Sequence, residues 1–299
     1  MLTEAQIALR KTLISATDVR VLAGLDPYGL TAHDVWVSKC LDTPPFEPTE
    51  AMMLGNDIEP VVLKHLARKR GIVLVPSTTI VHPMIPHHGA TPDALAPVSN
   101  GAPPEYGAEV KVTGFRFARE WDLTDEEEGF PEWVLPQVAW GMHCSGAQRW
   151  YIGVIIGTMI GTWVVEWKDV SELVDALVEV ADRFYVDHVV TKKPPQLDAS
   201  DGAARMVREL VGKRNNGVML RASPEAEAAA KMYFEAHRAM KEATEKKQEA
   251  VSNMIAMIGE ADGVKGDGWR ALNRRQEGYH VDAYDVAEMR KFDLRPRKR

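Results

Sequence analysis

Cysteine is nearly absent: Cys40 and Cys144 are the only two in 299 residues, far apart and in no metal-binding spacing. That excludes a disulfide framework and a four-cysteine iron–sulfur cluster, and an intracellular chain is expected. Long hydrophobic runs are also missing. The longest, Tyr151–Ile160, is broken by Gly153 and Gly157. It falls well short of the ~20 apolar residues that span a bilayer, so no membrane partner is expected. Met1–Arg10 mixes polar and apolar residues instead of joining a basic start to an apolar core. The chain therefore reads as cytoplasmic, without a secretory leader. Nor is positive charge in excess: the net charge is −7, which at face value argues against a polyanionic partner. The charge is uneven, however. Residues 1–200 hold 16 Lys+Arg against 27 Asp+Glu, and residues 201–299 hold 20 against 16. Arg290–Arg299 alone carries six basic residues and one acid, so bulk charge does not settle the partner.

What is present is an ordinary globular composition, 45% hydrophobic and 26% charged, enough for one large domain or two small ones. The organising stretch is residues 89–111, in which Asp93 follows a proline and Glu109-Val110-Lys111 comes sixteen residues later. Period-2 alternation puts Glu109 and Lys111 on one face of a strand, with Val110 on the buried side. Two carboxylates converging from neighbouring strands make a hard oxygen site suited to Mg²⁺, with Mn²⁺ as a substitute. An ion held there polarises a phosphodiester and acidifies a bound water, while Lys111 orients that water or steadies developing charge. This is the pattern of a metal-dependent nuclease.

The flanking elements follow from hydrophobic spacing and breakers. Residues 3–23 read as a helix leading into the turn-rich Gly24–Gly29. Within it Arg10 and the set Ser15, Ala16, Thr17 offer a cation and hydroxyls for a phosphate; Ser15 or Thr17 as a plain helix cap is the competing reading. Thr31–Leu41 predicts a second helix. Thr49–Arg70 predicts a third, in which Pro60 implies a bend that aims Glu59 at a metal; alone, Glu59 reads as a solvated acid. Gly71 caps that helix, and Ile72–Val75 and Thr79–His82 read as short strands. His82, His87 and His88 lack an H-x-x-x-H spacing and read as polar loop groups in preference to zinc ligands. A loop over Asn100–Tyr106 lets the Asp93 and Glu109 strands pair as a hairpin. From Pro131 a helix carries Gln137, which either faces the site or is an exposed polar residue. Trp150–Ile156 and Thr162–Trp167 predict a strand hairpin, and Ser171–His188 an amphipathic helix capped by Ser171. Lys192–Pro195 marks a boundary, giving a core over 1–200 and a C-terminal region over 201–299. There Ser223 and Pro224 start a helix to about Ile258, a hairpin or coiled-coil-like arm. Trp269–Leu272 and Tyr279–Tyr284 read as strands before a basic tail.

Taken in order, Glu59-Pro60, Pro92-Asp93, Glu109-Val110-Lys111 and Gln137, with the Ser15–Tyr28 segment ahead of them, resemble the PD-(D/E)xK nuclease superfamily. The closer resemblance is to the phage lambda exonuclease group, the YqaJ-type viral recombinases, over roughly residues 10–190. It implies an α/β (α+β) fold, a mixed β-sheet flanked by helices. It also implies that Asp93, Glu109 and the Val110 carbonyl hold Mg²⁺, that Lys111 serves the water, and that Glu59 completes the metal shell. By motif position Arg10 and Thr17 match the residues that hold a DNA 5′-phosphate. Family members degrade one strand of linear double-stranded DNA from its 5′ end, leaving 3′ overhangs for a single-strand annealing protein. Many work as ring-shaped homotrimers. Residues beyond about 200 exceed what such a core requires. An endonuclease or structure-specific nuclease on the same core, and a non-catalytic DNA-binding or scaffolding module, remain the alternatives.

Overall fold

The structure, a computed structural model, describes residues 4–43, 47–98, 101–114, 117–125, 127, 129–211, 219, 221–261, 263–267 and 269–272. Two helices, α1 (Glu4–Thr12) and α2 (Ala16–Leu22), stand where hydrophobic spacing predicts one. The break has a local cause. The Ile14 N–H donates to the His87 carbonyl at 2.7 Å, and the Ile14 carbonyl accepts from the Gly89 N–H at 3.1 Å. Ser15 then restarts the helix with a capping box: its Oγ accepts from the Asp18 N–H at 3.3 Å, and Asp18 Oδ2 accepts from the Ser15 N–H at 2.7 Å. Next come α3 (Ala32–Cys40) and α4 (Glu50–Arg70), the latter capped by the Thr49 side chain and ended by Gly71 at φ 66°. The α4 helix runs on through Pro60, whose missing N–H leaves the Asn56 carbonyl without its usual donor.

Four two-residue strands follow: β1 (Val75–Pro76), β2 (Ile80–Val81), β3 (Gly89–Ala90) and β4 (Ala94–Leu95). Then come β5 (Tyr106–Thr113), α5 (Leu135–Ser145), β6 (Arg149–Ile156), β7 (Met159–Glu166) and α6 (Trp167–Phe184). The α6 helix begins four residues before Ser171, with Glu166 at its N-cap, because the β7 strand feeds directly into it. The main sheet has the order β1-β4-β5-β6-β7, with β5 and β6 parallel and the other neighbours antiparallel. It is a mixed sheet flanked by helices, as the resemblance implied. The β2–β3 pair forms a separate two-stranded ribbon.

The sheet is covered on both faces. On one side Val62 and Leu66 of α4 pack with Ala94, Ala108, Val110 and Tyr151. On the other, α5 and α6 bury Trp140, Trp150 and Trp163, none more than 1% exposed. Each such ring removes roughly 150–250 Å² from water, so these three dominate that side of the core. Trp150 fits because Gly107 on β5 and Gly141 on α5 present no side chain to it; a Cβ on Gly141 would lie 2.6 Å from its ring.

The helix α7 (Asp201–Val211) belongs with the body: Arg205 reaches Asp34 of α3 through Nε at 2.7 Å and Nη2 at 2.8 Å. By compactness the chain divides into two units, Met1–Gly212 and Lys213–Arg299, and α7 falls in the first. In the second unit, Ser223 caps α8 (Pro224–Ile258), which leads to the hairpin β8 (Gly263–Gly266) and β9 (Trp269–Leu272). The strand expected over Tyr279–Tyr284 and the basic tail lie outside the described residues. Gly107→Ala should overpack the Trp150 ring and cost ~1–3 kcal/mol in urea unfolding with an unchanged m-value; an unaltered midpoint would show that the ring is not wedged against β5.

Candidate active site

The site arises where one strand outruns its neighbour. β4 pairs only Ala94 with Ala108 and Leu95 with Gly107, so from Glu109 onward β4 no longer covers that edge of β5. Asp93, the residue just before β4, turns into the gap, and its Oδ2 accepts the Val110 N–H at 2.6 Å. A strand residue sends its N–H and C=O to the same side, so the Val110 carbonyl is directed toward this edge as well. Alternation along β5 puts Val110 against α4, and Glu109 and Lys111 on the opposite face. Lys111 Nζ donates to Glu109 Oε1. Glu59 reaches the same place from α4, close enough for the charges of Glu109 and Lys111 to act on its carboxyl. Because both faces of the sheet are covered, Glu109 is only 8% exposed.

Three carboxylates around one ammonium in a poorly hydrated place repel one another. Burial first, then the Glu109 and Glu59 charges, pushes the Asp93 carboxyl well above its ordinary range, against the pull of Lys111 and the Val110 N–H. Burial and Glu109 raise Glu59 too, with Lys111 opposing. For Lys111, burial works against the charge, but Glu109 and Asp93 outweigh it, so its pKa rises and the ammonium stays protonated. The set holds more negative charge than its cation offsets.

Glu59, Asp93, Glu109, Gln137, Arg10 and Thr17 all line one cleft of about 1130 Å³. That exceeds the ~300–1,000 Å³ of most small-molecule pockets and leaves room for a segment of polymer. Arg10 in the last turn of α1 and Thr17 in the first turn of α2 both line the cleft, on either side of the α1–α2 junction. Ser15, not Thr17, is the N-cap, which leaves Thr17 in the first turn of α2, where backbone N–H groups lack intrahelical acceptors. Lys39 of α3 locks this corner: its Nζ pairs with Asp18 Oδ2 at 2.7 Å and donates to the Arg10 carbonyl at 2.8 Å.

Gln137, 8% exposed on α5, is a buried residue whose Oε1 accepts from Arg20 Nη1 at 3.1 Å. Arg20 was not singled out from the sequence. It sits 6% exposed on α2, pairs through Nη2 with Asp26 at 2.7 Å, and lies over the Tyr28 and Trp133 rings. Its positive charge is felt at Lys111. With its oxygen taken by Arg20, the Gln137 amide has its NH₂ left to donate. The only sequence signal for this pairing was the turn Asp26-Pro27-Tyr28, whose Asp26 Oδ2 accepts the Tyr28 and Leu30 N–H groups, both at 2.9 Å.

Asp93 should make the metal-free protein weaker at neutral pH than in acid. Its folded pKa lies above the unfolded value, so the contribution is neutral below about pH 4, grows destabilising as pH rises above the unfolded value, and levels off past the folded one. Asp93→Asn should therefore raise the melting temperature in EDTA at pH 7.5, by ~2–4 °C per kcal/mol at this size, and leave it unchanged near pH 4. Equal shifts at both pH values would contradict the like-charge cause.

Residues 7–148 match the family model described as the YqaJ-like viral recombinase domain. A curated relative, the uncharacterized protein YqaJ of Bacillus subtilis (strain 168), is 25% identical over 211 residues. That match covers 69% of this chain and 63% of the relative, so the chain spans a little under two thirds of the relative's length. Among solved structures, an alkaline exonuclease (LHK-Exo) from Laribacter hongkongensis superposes with a TM-score of 0.51 at 20% identity, covering 64% of this chain and 94% of that one. This likeness is one of fold. Residues 7–148, then, are what this chain has in common with the YqaJ-like viral recombinase domain, a similarity that stops just short of half its length.

Proposed function

We propose that the protein is a Mg²⁺-dependent deoxyribonuclease that degrades linear double-stranded DNA from its ends, 5′→3′, leaving 3′ single strands. The observation that carries this reading is the carboxylate set: Asp93, Glu109 and Glu59 share a buried edge with a single ammonium, and Asp93 and Glu59 are both pushed toward protonation. The donor chemistry fits a hard divalent cation, since all three side chains are oxygen ligands and the uncompensated charge is negative. Asp93, Glu109 and the Val110 carbonyl would hold it, with Glu59 completing the shell. The cation supplies charge stabilisation to a phosphodiester undergoing in-line displacement by water.

The chain's own groups do the rest. Lys111, kept protonated by Glu109 and Asp93, donates hydrogen bonds to the attacking water or to the developing charge and does not remove a proton. Gln137, oriented by Arg20, offers its NH₂ to a phosphate oxygen. Arg10, Thr17 and the first turn of α2 receive the 5′-phosphate, an anion suited to a guanidinium beside a helix start. Mn²⁺ substitutes for Mg²⁺ in this reading. The 3′-ended product would feed a single-strand annealing protein, and assembly as a homotrimeric ring would keep the enzyme on its track. Among the described residues no helix is long and apolar enough to cross a membrane.

End-labelled linear duplex, with and without a 5′-phosphate, and covalently closed circular DNA should be digested in Mg²⁺. Linear DNA should be lost from its 5′ ends, faster when phosphorylated, while circles persist; nicking of circles would favour the endonuclease alternative. Lys111→Ala should lower cleavage by ~10³-fold or more while duplex binding survives. Near-normal cleavage by that variant would remove Lys111 from the mechanism, and duplex binding by the parent without any cleavage in Mg²⁺ or Mn²⁺ would favour a non-catalytic module.

A further inference from the structure

A second cluster of metal-capable side chains lies outside the cleft. His87 Nε2 is 2.7 Å from Asp182 Oδ1, and His88 Nε2 is 3.0 Å from the same oxygen. The three ligand atoms all lie within 4.8 Å of one another. None of the three residues lines the carboxylate cleft. His87 and His88 come from the turn before β3, and Asp182 from the last turns of α6.

We propose that His87, His88 and Asp182 form a structural site for a Zn²⁺-class transition-metal ion, which staples the β2–β3 ribbon to α6. Two imidazoles and one carboxylate are the donor set that borderline ions select over Mg²⁺. Metal–ligand bonds of 2.0–2.2 Å in a tetrahedron place neighbouring ligand atoms about 3.3 Å apart. The present 2.7 and 3.0 Å spacings need open by only a few tenths of an ångström. The Asp182 side chain is 44% exposed, which leaves a fourth position open to water.

The surroundings are built for ligation. His88 is fully buried, with its ring against Trp140 at 4.5 Å, and its Nδ1 lies 3.1 Å from His143 Nε2. A metal on His88 Nε2 requires the ring proton on Nδ1, and His143 Nε2 stands ready to accept it; such an outer partner fixes the tautomer of a ligating histidine. His143 is itself held by stacking on His82, ring centroids 4.4 Å apart. His87 stacks on Tyr185 at 4.1 Å. The position also explains a use for the staple: His87 and Gly89 grip the backbone of Ile14, one residue ahead of the Ser15 cap at the cleft's Arg10–Thr17 corner.

The test is a Co²⁺ titration of EDTA-stripped full-length protein in excess Mg²⁺, followed by visible absorption and thermal melting. About one equivalent should bind, with the bands of a four- or five-coordinate nitrogen–oxygen site and a rise of several degrees in melting temperature. His87→Ala and Asp182→Asn, both at partly exposed positions, should each weaken binding at least tenfold, with folding checked by circular dichroism. Asp93→Asn should leave the bands intact, so the outcome is independent of the nuclease reading. No Co²⁺ bound in excess Mg²⁺, or binding untouched in both variants, would reduce the cluster to hydrogen-bonded histidines and overturn the site.

Discussion

Mutual repulsion among Asp93, Glu109 and Glu59 is the constraint on which the rest of this structure turns. Left to themselves, carboxylates at a covered sheet edge protonate or move apart. Here the backbone forbids separation: Asp93 is tied to the Val110 N–H, and Glu109 is fixed by the strand and by Lys111. Buried charge of one sign is destabilising without a partner, so the fold holds a locally unfavourable arrangement that a bound cation would relieve.

The architecture that imposes this is simple. A two-residue β4 beside an eight-residue β5 leaves a stretch of strand edge without a ladder, and Asp93 is the first residue beyond the shorter strand. The tryptophan-rich side of the core anchors α5 against β5 and β6, which fixes Gln137. Trp140 extends the same anchoring to the cleft's far corner, its indole N–H donating to the Ile14 and Gly89 carbonyls at 3.2 and 3.0 Å. Strand edge, helix and corner are thus held in fixed relation by packed elements, as a precise site requires.

Much of this was legible in the sequence, for identifiable reasons. Glu109-Val110-Lys111 could be read because strand alternation is short-range, and α4 because Thr49, its apolar spacing and Gly71 mark both ends. The Asp93–Glu109 hairpin followed from their separation. Other features depend on partners distant in sequence. The single helix expected over residues 3–23 is split because Ile14 is claimed by His87 and Gly89, more than seventy residues away. Arg20 meets Gln137 across 117 residues, and His87 meets Asp182 across 95, so neither leaves a spacing to find. Ser171 gave a false start for α6, since a good capping residue loses to a strand that runs straight into the helix. Gln137 carried two readings that only its burial separates.

The account rests on a divalent cation being shared by Asp93 and Glu109, and diffraction measures that directly. Crystals of the protein soaked in Mn²⁺ should show an anomalous peak at the β4–β5 edge, about 2.0–2.4 Å from a carboxylate oxygen of each residue, and lose it in Asp93→Asn. A fully soaked crystal with no peak there, or with Mn²⁺ bound to neither carboxylate, would contradict the account.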